Sequence, residues 1–299
     1  MRDQESIIGR PLFTGRADVR RVVKPRSVYS HKGDSGYLLI VGGSNVYSGA
    51  PALAGMAALR TGVGLVVIAA PKAIAPTIRS YSPDIIVHSL SSDVVTSDDV
   101  PKVTQLIGRS DALILGPGIG LDSETKRAVP LMVDKAIEMN KPMLIDADAI
   151  KALAGQIELL KGANTIITPH AGEFNAITGI NAPPRWRERL PICTEFATKY
   201  SCVLLLKGHD TIVTDGQRVR LNRTGNPGMA TGGMGDVLSG IIGTFLACGA
   251  EPFYAAAAGA YVHGLAGDLV RRAKGFHMVA SDIIEALPSI LKLYDRIRV

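Results

Sequence analysis

The chain has 299 residues, 46% of them apolar, which is enough for one large buried core or two small ones. Its formal charge of +6 is scattered rather than gathered into a basic stripe, which favours small anionic ligands and speaks against nucleic acid. Cys193, Cys202 and Cys248 lack metal-like spacing, and neither a secretory leader nor an apolar run of about 20 residues is visible; reduced thiols, a cytoplasmic location and no membrane span are expected.

Residues 1–30 are polar and basic and read as a helix and loop docked on the rest of the chain, with a phosphate-binding arm as the alternative. YLLIVGG (37–43) is a short apolar run of the kind found in a sheet covered on both faces. Its end, Gly42-Gly43-Ser44, lies where such sheets bind ligands. The Ala-rich stretch 48–64 reads as a helix from near Pro51. Its small residues either let the helix lie close to the sheet or leave room for a flat ligand beside Ala50. LVVIAAP (65–71) is a second strand, IIVHSL (85–90) is strand-like, and SSDVVTSDD (91–99) reads as a loop and a helix cap. ALIL (112–115) runs into Gly116-Pro-Gly-Ile-Gly120, either a tight turn or a ligand loop.

A helix over 123–139 leads to the strand PMLID, ending in Asp146 and Asp148. Two carboxylates at a strand end suit a divalent cation held through water, or helix capping; capping is the favoured reading for Asp148, and Asp146 is left open. In TIITPHAGEF (165–174) a strand turns through Pro169 to His170 on a ligand-facing loop, with Glu173 as a cap or a cation partner. Arg185-Trp186-Arg187 resembles a phosphate clamp, but a solvated face or subunit contact is the plainer reading. VLLL (203–206) leads into Lys207-Gly208-His209-Asp210-Thr211, then a β-hairpin near 211–221 with a two-residue Asp-Gly turn.

The hairpin delivers the chain into GNPGMATGGMGDVL (225–238), whose glycines let the backbone approach a ligand closely. The apolar helix after it offers free N–H groups and a positive dipole end to an anion such as phosphate. No Gly-Lys-Ser/Thr is present, so this is no Walker loop. Asp236 either caps that helix or takes a proton from a hydroxyl beside the bound phosphate. His263 reads as a packing histidine, and 281–293 as a terminal amphipathic helix. Strands alternating with helices predict an α/β fold, a wound, mostly parallel sheet flanked by helices on both faces, in one domain over 1–299.

HKGDSGYLLIVGGS, SGAPALAGMAALRTGVGLV, ALILGPGIG, PMLIDADAI, TPHAGEF, LLLKGHDTIV and NPGMATGGMGDVLSGIIG occur in this order. Together they resemble the NAD(P)H-hydrate dehydratase family of the ribokinase-like superfamily, from about His31 to Leu287. The resemblance implies ADP- or ATP-driven dehydration of the S epimer of hydrated NADH or NADPH (NADHX, NADPHX), returning the reduced cofactor, phosphate and AMP or ADP. It implies that Ala50, Gly118, His170 and Asp236 contact the hydrate, with Asp236 as catalytic base. Lys207, Gly208, His209, Asp210, Thr211 and Gly235 would hold the adenine nucleotide. Mg²⁺ is expected on the phosphates, with Glu173 or water as candidate ligands. Met234 stands where the family often has Thr. The family's fused epimerase domain has no counterpart in the roughly 30 residues ahead of the match, so a separate epimerase is implied; a homo-oligomer, often a tetramer, is also expected. A rival reading is a kinase of the same superfamily acting on a sugar, hydroxyethylthiazole or pyridoxal. A second rival is a non-catalytic nucleotide sensor.

Overall fold

The computed structural model describes residues 11–298; residues 1–10 and Val299 lie outside it, so the expected N-terminal extension is followed only from Pro11. The strands are β1 (Leu12–Phe13), β2 (Arg26–Ser27), β3 (Tyr37–Val41), β4 (Leu65–Ala70), β5 (Ile86–Ser89), β6 (Ala112–Leu115), β7 (Met143–Ile145) and β8 (Thr165–Ile167). They continue with β9 (Val203–Leu206), β10 (Thr211–Thr214), β11 (Val219–Asn222) and β12 (Ile297–Arg298). The helices begin with α1 (Arg16–Val22), α2 (Gly49–Thr61), α3 (Ala75–Tyr81), α4 (Val100–Arg109) and α5 (Ser123–Glu138). After these come α6 (Asp148–Ala152), α7 (Ala171–Thr178), α8 (Trp186–Tyr200), α9 (Met234–Ala247), α10 (Pro252–Lys274) and α11 (Ala280–Leu291). No helix among the described residues is long and apolar enough to cross a membrane.

Ten strands form one sheet in the order β1-β11-β10-β9-β8-β7-β6-β3-β4-β5, and β12 pairs with β2 in a small second sheet. Among the described strands of the large sheet, only β10 runs antiparallel to its neighbours. The short apolar runs behave as strands buried on both faces should. In β3, Leu38 and Ile40 enter one core and Leu39 and Val41 the other. Helices α1, α2, α3, α9, α10 and α11 cover the first core, and α4 to α8 the second. From β3 the chain winds outward to β4 and β5; from β6 it winds the opposite way to β7, β8 and β9. The reversal between β3 and β6 opens a crevice at the carboxyl ends of the strands.

Two details depart from the sequence reading. The N-terminal segment adds an edge strand, β1, parallel to β11, because Leu12 and Phe13 are too short a run for periodicity to register. The hairpin closes through four residues, 215–218, rather than a two-residue turn. Thr214 pairs with Val219, and Asp215 Oδ1 accepts from the N–H groups of Gln217 and Arg218.

Helices α2 and α9 cross closely because small residues face each other. A Cβ on Gly240 would run into the carbonyl oxygen of Ala54 and lie 2.9 Å from Ala57 Cβ. Gly240→Ala is therefore expected to destabilise by about 1–3 kcal/mol through overpacking. A melting temperature equal to wild type would show that the two helices part without cost.

Candidate active site

The carboxyl edge of the sheet gathers the chemistry. Asp146 follows β7, His170 and Glu173 follow β8, and Lys207 follows β9. At the crevice, Gly43 N–H donates to Pro117 O at 2.8 Å and so ties the loop after β3 to the loop after β6. Gly118 has φ +62°, and a Cβ there would fall 2.7 Å from Tyr47 Cβ and 3.0 Å from Ala50 Cβ. Ala50, Gly118 and Tyr47 thus make one wall. Leu53, three residues on from Ala50 and on the same helix face, approaches Gly233 at the entry to α9. That contact brings the wall against the glycine-rich loop.

The centre is a buried ion cluster. Lys207 Nζ donates to Asp146 Oδ1 at 2.9 Å and lies 3.7 Å from Glu173 Oε2. Ser239 Oγ, one turn into α9, donates to Asp146 Oδ2 at 2.6 Å. Asp146 is 2% exposed. Burial alone would push its carboxyl up, but the Lys207 ammonium and hydrogen bonds from Ser239, Lys207 and Thr168 outweigh this and hold it below its ordinary value. Burial works against the Lys207 charge as well, yet Asp146, Glu173 and Asp236 together keep its pKa above the usual lysine value.

The glycine loop closes over this cluster. Its start is tied down by Asp268 of α10, which accepts from Gly225 N–H at 3.0 Å and Asn226 Nδ2 at 3.1 Å. Gly233, at φ +86°, turns the chain into α9 without a side-chain cap. The ladder of α9 begins with Val237 N–H to Gly233 O at 3.1 Å, so the amides of Met234, Gly235 and Asp236 precede it. A Cβ on Gly235 would lie 3.8 Å from Lys207 Nζ and 3.9 Å from Asp146 Oδ2, so the helix N-terminus sits directly over the ion pair. Asp236 makes no capping bond, which removes the capping alternative. Burial, then the neighbouring Asp146 charge, raise its pKa to about 7 against the opposing pull of Lys207. A carboxyl poised there suits proton transfer near neutral pH.

His170 does two things. Its Nδ1 accepts from Gly172 and Glu173 N–H, capping α7, which leaves the proton on Nε2, 3.4 Å from Glu173 Oε1. Glu173 completes the capping box by accepting from His170 N–H at 2.9 Å, so it is both a cap and a cation partner, the cation being Lys207. Asp148 does not cap α6: Ala147 occupies that position, and Asp148 pairs with Lys151 at 2.9 Å. The Arg185–Arg187 segment contributes no contact to the cluster. Arg189 matters instead: it is buried beneath the Lys207–Thr211 loop and donates to Asp210 O at 2.6 Å. Within that loop Thr211 Oγ1 hydrogen-bonds Gly208, while the His209 side chain, 93% exposed, points away from the cluster's contacts. His263 packs as expected, but beside the loop. Its Nε2 is buried without a partner, and burial followed by the Lys207 charge lowers its pKa to about 4, so it is neutral.

Ser239, Arg189, Tyr47 and Asp268 escaped the sequence reading. Ser239 carried the one available signal, since it lies three residues after Asp236 on the same helix face. Cys193 and Cys202 are buried, free thiols, pushed up to about 12 by burial.

The uncapped amides at the start of α9 thus lie over Lys207 and beside the Asp236 carboxyl. With the wound, mostly parallel sheet, that arrangement gives the protein a ribokinase-like fold. Residues 38–289 match the family model described as NAD(P)H-hydrate dehydratase, and the chain belongs to that family. It is 39% identical over 286 residues to the ADP-dependent (S)-NAD(P)H-hydrate dehydratase of Cenarchaeum symbiosum, covering 95% of this chain and 98% of that one. It is 42% identical over 283 residues to the bifunctional NAD(P)H-hydrate repair enzyme Nnr of Pyrobaculum aerophilum, covering 95% of this chain and 56% of that protein. The chain thus spans about half the length of its bifunctional relatives. The Bacillus subtilis ADP/ATP-dependent NAD(P)H-hydrate dehydratase, crystallised with ATP/Mg²⁺, superposes with a TM-score of 0.82 at 29% identity, covering 96% of this chain and all of that one.

Proposed function

We infer that the protein dehydrates the S epimer of NADHX or NADPHX at the expense of ADP or ATP, as a nicotinamide-cofactor repair enzyme. The observation that carries this reading is the placement of Asp236: a carboxyl raised to about 7, next to uncapped helix amides and a half-buried Lys207. The Asp236 carboxylate takes the proton of the hydrate's ring hydroxyl. The oxygen attacks the terminal phosphorus, and ADP leaves as AMP, or ATP as ADP. The resulting phosphate ester then loses phosphate, expelled by the ring-nitrogen lone pair, and the iminium so formed releases a proton from the neighbouring ring carbon to restore the dihydropyridine. The amides from Thr231 to Gly235 and the Lys207 ammonium neutralise the charge on the transferring group.

Ala50, Gly118 and His170 line the hydrate's side of the crevice; Lys207, Gly208, His209, Asp210, Thr211 and Gly235 hold the nucleotide, His209 by its backbone. No cluster of three or more His, Cys, Asp or Glu suited to a metal exists among the described residues, and the carboxylates of Asp146 and Glu173 are engaged with Lys207. The donor set does not fit a protein-built Mg²⁺ site, so Mg²⁺ enters as the nucleotide's own counter-ion, through water.

We further propose that this chemistry resides in one domain, in a cytoplasmic homotetramer, with a separate epimerase supplying the S epimer. Incubation with hydrated NADH and ADP is expected to restore the near-ultraviolet absorbance of NADH and release phosphate in equal amount. Phosphorylation of a sugar, hydroxyethylthiazole or pyridoxal without that recovery would replace this reading with a kinase. A mass other than four chains by light scattering would remove the tetramer.

A further inference from the structure

The edge strand β1 extends the ligand edge of the sheet. It runs parallel to β11, Phe13 opposite Leu221, and β11 runs parallel to β9 because two antiparallel steps separate them. Phe13 and Thr14 therefore leave the sheet on the same side as Arg223 and Thr224, beside Asp210, and on the side of Lys207. Phe13 is 55% exposed, and the Arg223 guanidinium lies over its ring at 4.7 Å. Arg223 Nε donates to Asp210 Oδ1 at 2.7 Å, so the guanidinium plane is fixed by the ring on one face and by the carboxylate at its edge. Phe13, Thr14, Arg223 and Thr224 line a shallow hollow of about 340 Å³. The hydroxyls of Thr14 and Thr224 are both spent on Asn222 Oδ1, at 2.7 and 2.8 Å. What the hollow offers is a flat aromatic and guanidinium surface.

We propose that Phe13 and Arg223 are the stacking seat for the adenine base of the nucleotide co-substrate. The Asp210 carboxylate balances the Arg223 charge, so the seat suits a flat neutral group better than a further phosphate. A guanidinium plane and an aromatic ring are the surfaces on which bases stack. Spacing agrees: adjacent strands lie about 4.8 Å apart, so the end of β11 is about 10 Å from that of β9. That is the reach of a nucleoside from a phosphate at Lys207 to its base. Phe13 lies ahead of residues 38–289, the span of the family match. The inference rests on the proposed function only in taking a nucleotide as co-substrate.

The test is calorimetric titration of the full chain with ADP, and with inorganic pyrophosphate, which lacks a base. Phe13→Ala is expected to weaken ADP binding about tenfold, within the range of a lost base stack, and to leave pyrophosphate unchanged. Phe13→Trp keeps the affinity. Arg223→Lys keeps the charge, loses the plane and weakens ADP alone. Should Phe13→Ala melt the β1 edge, Phe13→Leu retains the apolar bulk and serves in its place. ADP affinity unchanged in Phe13→Leu and Arg223→Lys, or equal losses for ADP and pyrophosphate, overturns the seat and leaves the dehydratase reading intact. Wild-type protein that binds pyrophosphate but not ADP overturns the nucleotide reading itself.

Discussion

Asp236→Asn is expected to cut turnover by about 10²–10⁴-fold while ADP still binds, because the amide keeps the shape of the carboxyl and cannot accept the hydroxyl proton. In wild type, kcat/KM should rise with pH through about 7, the value to which burial and Asp146 bring Asp236. Stability runs in the opposite direction. An acid whose folded pKa lies above its unfolded value stabilises the fold fully below the unfolded value, and that contribution is lost as pH rises through the folded one. The window here extends from about 4 to about 7. Asp236→Asn carries no such penalty, so it should melt above wild type at pH 8, with the gap closing toward pH 4. A variant that turns over normally removes the base. A variant that is inactive but shows no gain in melting temperature at pH 8 leaves the base in place and removes the account of its raised pKa.

The sequence reading reached the fold through its buried strands. Runs such as YLLIV and ALIL have no polar face, so they fit only a sheet covered on both sides, and the glycines after them marked the ligand edge. Asp236 and His170 stood out because each sits next to a helix start or strand end that the pattern exposes, whereas the roles expected of Lys207 and Gly235 came from the family resemblance. What was not legible was pairing across long separations. Ser239 meets Asp146 across 93 positions, and Arg189 reaches Asp210 from a helix that the pattern treated as surface. Asp146 and Asp148 are alike in the sequence, two carboxylates beside a helix start. Only the fold separates them, by placing Lys207 against the first and Lys151 against the second. The two-residue strand β1 carried no periodic signal, although it extends the sheet beyond β11.

Lys207→Met is expected to lose both fold stability and activity, and a second substitution should separate the two losses. Removing the ammonium leaves the Asp146 carboxylate buried with only hydroxyl partners, an imbalance that typically costs about 3–5 kcal/mol. The wild-type pair is acid-sensitive in a defined sense. Asp146 titrates below its unfolded value, so its contribution is present above that value and is lost as pH falls through the folded one. In Lys207→Met the carboxylate loses its main support and titrates upward, so the variant should be least impaired in mild acid and most impaired at pH 8. Adding Asp146→Asn removes the orphan charge, and Ser239 can still hydrogen-bond the amide. The double variant should recover much of the lost melting temperature at pH 8. It should not recover turnover, because no cation remains beneath Gly235 to meet the transferring phosphoryl group. Recovery of both properties would make the pair purely structural, and recovery of neither would show that the cluster depends on Glu173 more than on Asp146.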